Sequence, residues 1–333
     1  MLIDILILIG GTILILGGAN FLTDGASSLA KSWGITDLVI GLTVVAFGTS
    51  APELVISVMS SIKGNAGIAI GNIVGSNIFN ILVIVGCVAL VSPIKVKRSY
   101  MSNEIPLVIL SALVLFICAN GVILDGDSMN QISRVDGLLM LLFFAIFMRY
   151  TLSIATEKQV TAPTPEAASE AVGVEKADEV KTLPLWRSLL YVVGGLAALM
   201  YGGNLFVDGA SGIARGLNVS ETVIGLTIVA AGTSLPDLAA SVAAALKNKP
   251  GLAVGNIIGS NIFNIFFVLG VASTVSPLPL GGITNLDFLV LIAACLLFWL
   301  FGWFFKKRTI TRVEGAVLVA CFIAYTVYLV VNA

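Results

Sequence analysis

The sequence predicts an all-α integral membrane protein, with ten transmembrane helices arranged as two inverted five-helix repeats. Hydrophobic residues make up 58% of the 333-residue chain, and charged residues only 11%. Nearly uncharged stretches of about 18 residues or more recur along it, which is the length that spans a bilayer as a helix. An internal duplication at an offset of 184 residues supplies the third observation.

Apolar stretches between charged or Gly/Pro-rich breaks predict the individual helices. The first stretch lacks the basic segment and cleavage site of a signal peptide, so we keep it as the first transmembrane helix. The ten predicted helices cover 3–22, 35–61, 67–92, 104–121, 133–151, 185–207, 219–246, 251–277, 284–304 and 312–331.

A polar linker at 152–184 divides the chain. It loses hydrophobicity abruptly and gains Glu, Lys, Pro and Ala, a composition typical of a solvated segment. The sequence therefore predicts an N-terminal five-helix repeat at 1–151, the linker, and a C-terminal repeat at 185–333.

The positive charges predict the orientation in the membrane. Ten helices place 3 of the 18 Lys and Arg residues, Lys63, Arg134 and Arg215, in the loops on one side, and the other 15 on the opposite side. Cytoplasmic loops carry the excess of positive charge. We therefore expect a multi-pass cell-membrane protein with a cytoplasmic linker and both termini outside.

The duplication joins two motifs. "GLTVVAFGTSAPELVISV" at 41–58 matches "GLTIVAAGTSLPDLAASV" at 225–242, "GNIVGSNIFNI" matches "GNIIGSNIFNI", and 24 of 40 positions are identical between 41–80 and 225–264. A weaker match pairs Asn20 and Asp24 with Asn204 and Asp208. Because five helices separate the copies, the second runs through the membrane in the opposite direction, an arrangement that secondary transporters use around a central site.

Small residues in the repeats are explained by helix packing. Gly71 and Gly75, like Gly255 and Gly259, have the spacing of small-xxx-small contacts between helices. Packing does not explain the repeated acids Glu53 and Asp237, the only carboxylates well inside the predicted helices, which makes them candidates for a functional site. The other membrane-proximal acids lie near helix ends, where we expect water to solvate them: Asp4, Asp24, Asp208, Glu104, Asp287 and Glu314.

Oxygen-bearing groups surround both acids in the sequence. Pro52 and Pro236, each near a glycine, predict a kink that frees backbone carbonyls around Ala46 and Ala230. We expect Ser57 and Ser241 to bond their own helix backbone. The remaining hydroxyl and amide candidates are Thr49, Ser50, Thr233, Ser234, Ser76, Asn77, Asn80, Ser260, Asn261 and Asn264.

Such a set of hard oxygen ligands with two negative charges suits an alkali or alkaline-earth cation rather than zinc or copper. The two carboxylates repel each other when no cation is present, so protons are expected to compete for them. The chain has no histidine and no C-x-x-C pair among its four cysteines, and it lacks a phosphate-binding loop. We therefore predict neither an enzyme nor a cofactor, and no nucleic-acid partner; the sequence indicates no partner protein.

The motifs G-T-S-x-P-[E/D] and G-N-I-x-G-S-N-I-F-N, each present twice, resemble the alpha-repeats of the calcium/cation antiporter superfamily, which contains the prokaryotic sodium/calcium exchangers. The resemblance implies the ten-helix inverted topology, with calcium and sodium as transported ions. It implies ion-binding roles for Glu53, Asp237, Thr49, Ser50, Ser76, Asn80, Thr233, Ser234, Ser260 and Asn264.

The leading hypothesis is a sodium/calcium antiporter that works by alternating access. A proton/calcium antiporter with the same acids is the nearest alternative, and a cation channel is less favoured because the chain carries its own two-fold pair. A potassium-dependent exchanger is the third alternative. Asp237 resembles the potassium-dependent branch of the superfamily, but Asn264 stands where that branch carries an aspartate associated with its potassium requirement.

Overall fold

The computed structural model describes residues 2–124, 126, 128–160, 183–217, 230–304 and 308–332. The helices of this part are α1 Leu2–Ser32, α2 Asp37–Thr49, α3 Ala51–Ile62, α4 Ala66–Val91, α5 Tyr100–Cys118, α6 Gly121–Leu124, α7 Arg134–Val160, α8 Leu185–Gly216, α9 Ala230–Gly232, α10 Leu235–Leu246, α11 Pro250–Val275, α12 Asn285–Phe304 and α13 Arg312–Asn332. Two short antiparallel ladders join β1 Ile94–Lys95 to β4 Thr309–Ile310 and β2 Gln131–Ile132 to β3 Leu278–Pro279.

The described helices confirm an all-helical membrane protein. Eight of them are long and apolar enough to cross a membrane alone, and α2 with α3 forms a ninth span that bends by 47°. The predicted helix at 219–246 is seen only as α9 and α10, because 218–229 lie outside the described residues, as do 161–182 of the linker. Helix α7 continues to Val160, past its predicted end at 151, since residues such as Ala155 and Glu157 favour helix.

Helices α1 and α8 are the longest in the described chain, and both exceed their predicted ends by about a third of their length. α1 has 31 residues and α8 has 32, which at 1.5 Å per residue is roughly 46 to 48 Å. This exceeds the hydrocarbon thickness of about 30 Å, so the two helices tilt or extend beyond the hydrocarbon layer. The apolar signal ends early because the final turns bury small and polar residues, such as Ser27 and Ser211.

Glycines let α1 and α8 cross in close contact. Cβ atoms added at Gly11, Gly18 and Gly25 would lie 2.8 Å from the carbonyl oxygens of Gly202, Gly195 and Ser188, respectively. No side chain fits in that space, so the two backbones touch. The partner number falls as the α1 number rises, which means that the two helices are antiparallel.

The two GNIxGSNIFN motifs lie on the central helices. α4 buries 78% and α11 buries 94% of its most apolar 18-residue window, against 17 to 39% for the other single-helix spans of the described chain. Gly255 and Gly259 of α11 approach the carbonyl oxygens of Leu38 and Leu42 in α2, as the packing interpretation predicts. The equivalent partners of Gly71 and Gly75 fall near 222–226, outside the described part.

Three acids at helix starts are buried, contrary to the expectation that water solvates them. Glu104, Asp287 and Glu314 are 2%, 6% and 7% exposed. Asp287 accepts hydrogen bonds from the Thr284 amide at 2.8 Å and the Tyr325 hydroxyl at 2.6 Å, while Glu314 accepts from the amide and hydroxyl of Thr311. Local donors at the helix N-terminus thus replace water. Asp24 and Asp208 are exposed, as predicted.

Candidate cation site

Each repeated acid sits in the first turn of a helix that begins at a break. The 47° bend between α2 and α3 occurs at Ser50, with Pro52 just after it. Ser234 occupies the same place between α9 and α10, and its backbone angles of −90° and 2° match those of Ser50 at −87° and 7°. A proline supplies no amide hydrogen to the preceding turn, so the predicted kink follows from Pro52 and Pro236.

The carbonyls around the two breaks differ. The Ala46 carbonyl accepts the Ser50 amide at 3.0 Å, so the bend does not free it as predicted. In the second copy the Ser234 amide donates to Ala231 at 3.2 Å instead of Ala230. Ala230 opens the short helix α9, and Thr233 is half-buried in the break.

The Glu53 carboxylate is buried without a hydrogen bond. Its side chain is 0% exposed, and neither carboxylate oxygen has a hydrogen-bond partner. Ser76 of α4 and Ser234 of the other half lie beside it, and Asp237 is near enough to repel it electrostatically. The Glu53 carboxylate therefore lies beside Ser234 and Asp237 of the opposite half.

The Asp237 carboxylate is equally buried but is held by two donors. Its Oδ1 accepts the Ser260 hydroxyl at 2.7 Å and the Asn256 amide at 3.1 Å, while Oδ2 has no partner. Thr49 and Asn80 of the first half lie beside it. One oxygen is thus fixed in position and the other remains available to a ligand.

Two hydrogen-bond bridges connect the halves at this place. The Thr49 hydroxyl donates to Oδ1 of Asn256 at 3.1 Å, and the same asparagine donates to Asp237. Asn264 donates to Oδ1 of Asn77 at 3.2 Å, and Asn77 donates to the Asn261 carbonyl at 3.3 Å. These bonds join the two halves beside the repeated acids in two separate groups.

The region around the two acids contains several buried oxygens without a hydrogen-bond partner. The two acids are Glu53 and Asp237, and the described residues hold no cluster of three His, Cys, Asp or Glu side chains. Calcium and sodium bind such carboxylate, amide and hydroxyl oxygens. Among the predicted site residues, the buried side chains with an unpartnered oxygen are Glu53, Asp237, Ser50, Ser76, Asn80, Ser234, Asn261 and Asn264.

Sequence reasoning missed Asn72 and Asn256, the first asparagines of the two GNI triplets. Asn72 donates to the Glu53 backbone carbonyl at 3.4 Å and to Ser57 at 3.1 Å, whereas Asn256 reaches the Asp237 carboxylate and Ser241. Their identity in both copies was a usable signal. Ser57 donates to Ala69 of the next helix, so the expectation that it bonds its own helix was wrong.

Comparisons with known proteins identify the family. The sequence matches the family profile described as "Sodium/calcium exchanger protein" over residues 3–153 and 187–331. It is 38% identical over 327 residues to the putative antiporter CaxA of Alkalimonas amylolytica, which covers 98% of both chains. It is 32% identical over 350 residues to the sodium/calcium exchanger MaX1 of Methanosarcina acetivorans, again with 98% of both chains covered.

A solved structure gives the same result for the fold. The sodium-calcium exchanger NCX_Mj, soaked with 10 mM Na+ and zero Ca2+, superposes with a TM-score of 0.79 at 33% identity, covering 97% of this chain and 98% of that one. The family match spans most of the sequence, including both copies of the repeated motifs. The chain belongs to the sodium/calcium exchanger protein family.

Proposed function

We propose that this protein is a sodium/calcium antiporter of the cell membrane, which moves calcium in exchange for sodium by alternating access. One observation carries the proposal. Glu53 and Asp237, one from each repeated motif, are buried close to each other, and three of their four carboxylate oxygens have no hydrogen-bond partner. Buried charges without a partner are costly, so they favour a bound cation. Two carboxylates match one calcium ion in charge.

Exchange follows from the burial of the site. A cation between the two acids removes their mutual repulsion, so a loaded site can close in the low-dielectric interior, while an empty site resists closure. Calcium and sodium compete for the same oxygens. We propose that Glu53 and Asp237 supply the charge, that Ser50, Ser76, Asn80, Ser234 and Asn264 supply neutral oxygens, and that Thr49 and Ser260 position them. Thr233 and the Ala230 carbonyl complete the proposed set, while the Ala46 carbonyl is left out because it accepts the Ser50 amide.

Calcium flux into vesicles tests this function. A sodium gradient should drive calcium accumulation in vesicles that contain the purified protein, with the proton gradient collapsed by an ionophore. Protein-free vesicles and vesicles with equal sodium on both sides are the controls. Absence of sodium-driven flux would rule the proposal out.

The proton/calcium alternative uses the same acids. The bare Glu53 carboxylate, with Asp237 beside it, is a suitable proton acceptor when no metal ion is present. If calcium moves only when a proton gradient is imposed and sodium is absent from both sides, this alternative replaces the leading one.

We also propose the complete topology of ten helices in two inverted repeats, at 1–151 and 185–333, joined by the 152–184 linker. The close contacts between α1 and α8 support it, because Gly11 with Gly202 and Gly18 with Gly195 exchange places under the 184-residue offset. An antiparallel contact of this kind is expected across a two-fold axis in the membrane plane.

Pairing between loops supports the predicted sides of the membrane. β1 and β4 both lie in Lys/Arg-rich loops, β2 and β3 both lie in Lys/Arg-poor loops, and each pair forms a ladder. We propose that the linker side is cytoplasmic and both termini are outside. A single cysteine at Glu170, in a variant without the native cysteines, should react with impermeant thiol reagents only from the cytoplasm; labelling from outside would reverse the orientation.

A further inference from the structure

A polar cavity lies at the linker-side ends of α1, α8 and α10. Its volume is about 340 Å³, and its lining includes side chains of both signs. Leu183, which precedes α8, forms part of the wall, so the cavity opens on the side that carries the linker. The polar and charged residues that line it are Thr23, Asp24, Ser27, Tyr191, Lys247 and Lys249.

The Lys247 ammonium group donates hydrogen bonds to two oxygen atoms at this cavity. Its Nζ donates to Oδ1 of Asp24 at 2.8 Å and to the Asn20 carbonyl at 3.0 Å. The hydroxyl of Ser27 lines the same cavity, is 2% exposed and has no hydrogen-bond partner. A carboxylate, a carbonyl and an unused hydroxyl are the ligand types that hold sodium or calcium. The lysine thus stands where a free cation would be stabilised.

Equivalent residues lie at the opposite end of the molecule, but there the lysine and the aspartate do not form an ion pair. At the 184-residue offset, Asp24, Ser27 and Lys247 correspond to Asp208, Ser211 and Lys63. Asp208 and Lys63 are both exposed, and within the described ranges no ion pair joins them.

Helix packing is also closer at the linker-side end, where the ion pair forms, than at the opposite end. α1 packs along α10, whereas α8 makes no comparable contact with α3 within the described chain. Ala240 and Ala244 of α10 are consequently buried, at 3% and 1% exposed, while the equivalent Ile56 and Ser60 of α3 are half-buried. Among the described helices, the linker-side end is therefore packed more closely than the opposite end.

We propose that Asp24, the Asn20 carbonyl and Ser27 form an entrance site for a sodium or calcium ion, and that Lys247 closes this entrance by binding there as a tethered cation. Lys63 and Asp208 form the equivalent lock at the other entrance. Each lock forms when its end of the molecule closes, so the two locks alternate. The inference rests on the proposed alternating access, but its test does not require transport.

Thiol labelling measures closure of the entrance. In a variant without the four native cysteines, Ser27→Cys should react slowly with an impermeant thiol reagent applied from the linker side. Adding Lys247→Ala should raise the labelling rate about two- to fivefold, the effect expected of one partly exposed ion pair. Lys247→Gln, which keeps more of the side-chain volume, should act in the same direction if a folding defect obscures the alanine variant.

Matched variants separate the lock from a general loosening of the protein. Lys63→Ala removes the lock that favours the state open on the linker side, so it should slow labelling of the Ser27→Cys variant rather than accelerate it. Asp24→Lys combined with Lys247→Asp should restore slow labelling, because the reversed pair can still form. Equal acceleration by Lys63→Ala, or no rescue by the reversed pair, would contradict the lock.

Cation protection tests the entrance site itself. Once Lys247 has been replaced by alanine, sodium or calcium on the linker side should slow labelling of a thiol introduced by Tyr191→Cys, which lines the cavity but is not a proposed ligand, whereas choline at equal ionic strength should not. Equal labelling rates in sodium, calcium and choline would contradict the proposed entrance site. Because labelling is read without calcium flux, a protein that fails to exchange calcium but passes this test would refute the proposed function and leave the lock intact.

Discussion

The two repeated acids occupy different environments although their motifs are nearly identical. Glu53 has no hydrogen bond to either carboxylate oxygen, while Asp237 has one oxygen held by Ser260 and Asn256. The asparagine at the equivalent position, Asn72, bonds only the backbone of Glu53 and the Ser57 hydroxyl. The duplication therefore produces one acid held by two donors and one acid whose neighbouring hydroxyls, Ser76 and Ser234, do not reach hydrogen-bond geometry.

This difference teaches that a repeated motif need not give two equivalent half-sites. Aspartate is one methylene shorter than glutamate, and its two donors fix one oxygen while they leave Oδ2 open. Glu53 has the longer side chain, and neither of its carboxylate oxygens accepts a hydrogen bond. We infer that Asp237 sets the position of the ion, and that Glu53 adjusts its reach to ions of different size.

Replacement of Glu53 should have the largest effect on calcium exchange. Glu53→Gln keeps the side-chain volume but removes one of two charges, which at contact distance is worth several kcal/mol even at an effective dielectric near 20, so calcium exchange should fall at least about a hundredfold. Sodium-driven flux in vesicles measures it. Glu170→Gln, the same change in the linker, is the matched control, and near-normal exchange by the Glu53 variant would refute its role.

Asp237→Asn should cause a comparable loss, about a hundredfold, for the same electrostatic reason. The amide can no longer accept both the Ser260 and Asn256 donors with full strength, which adds a loss of position to the loss of charge. The apparent calcium affinity should therefore fall along with the maximal rate. A change confined to the rate would show that Asp237 does not hold the ion.

The asparagine pair tests the comparison most sharply, with an intermediate effect. Asn256→Ala removes a charge-assisted hydrogen bond to Asp237, so calcium affinity should fall about tenfold or more. Asn72→Ala removes no bond to a carboxylate and should cost only about two- to threefold by the same scale. Calcium-dependent flux of the two variants gives the ratio. Equal losses would mean that the two acids are held alike.

Potassium should have the smallest effect. Asn80 and Asn264 are neutral, and the buried network contains two carboxylates, so a potassium ion beside calcium would place three positive charges against two negative ones. At an effective dielectric near 20 that imbalance costs roughly several kcal/mol. Removing potassium from both sides should leave calcium uptake unchanged. Collapse of uptake, with recovery on adding potassium, would show that another group supplies the missing charge.

Much of the fold and site could be predicted because both repeats carry strong local signals. Charge and apolar length located the helices, and the acids stood out because carboxylates are rare at bilayer depth. The proline beside each acid correctly indicated the break. The family resemblance, which rests on two linked motifs, is confirmed by the family profile and by the structural match.

The remaining features depend on contacts between distant segments. The extension of α1 to Ser32 follows from packing against α8, which no apolar window reports. Asn80 and Asn264 lie in π-helical segments, Asn80–Ile84 and Phe263–Leu269, and such local rewinding has no composition signature. Asn72 and Asn256 are identical in sequence context, so the sequence could not show that only Asn256 bonds a carboxylate.

Equilibrium binding of radioactive calcium tests the central claim, that the two halves build a single site. The wild-type protein should bind one calcium ion in this site, sodium should displace it, and Glu53→Gln, Asp237→Asn and the double variant should each lose it. Two ions bound by the wild type, with one retained by each single variant, would instead mean that Glu53 and Asp237 belong to separate sites, and would contradict the account.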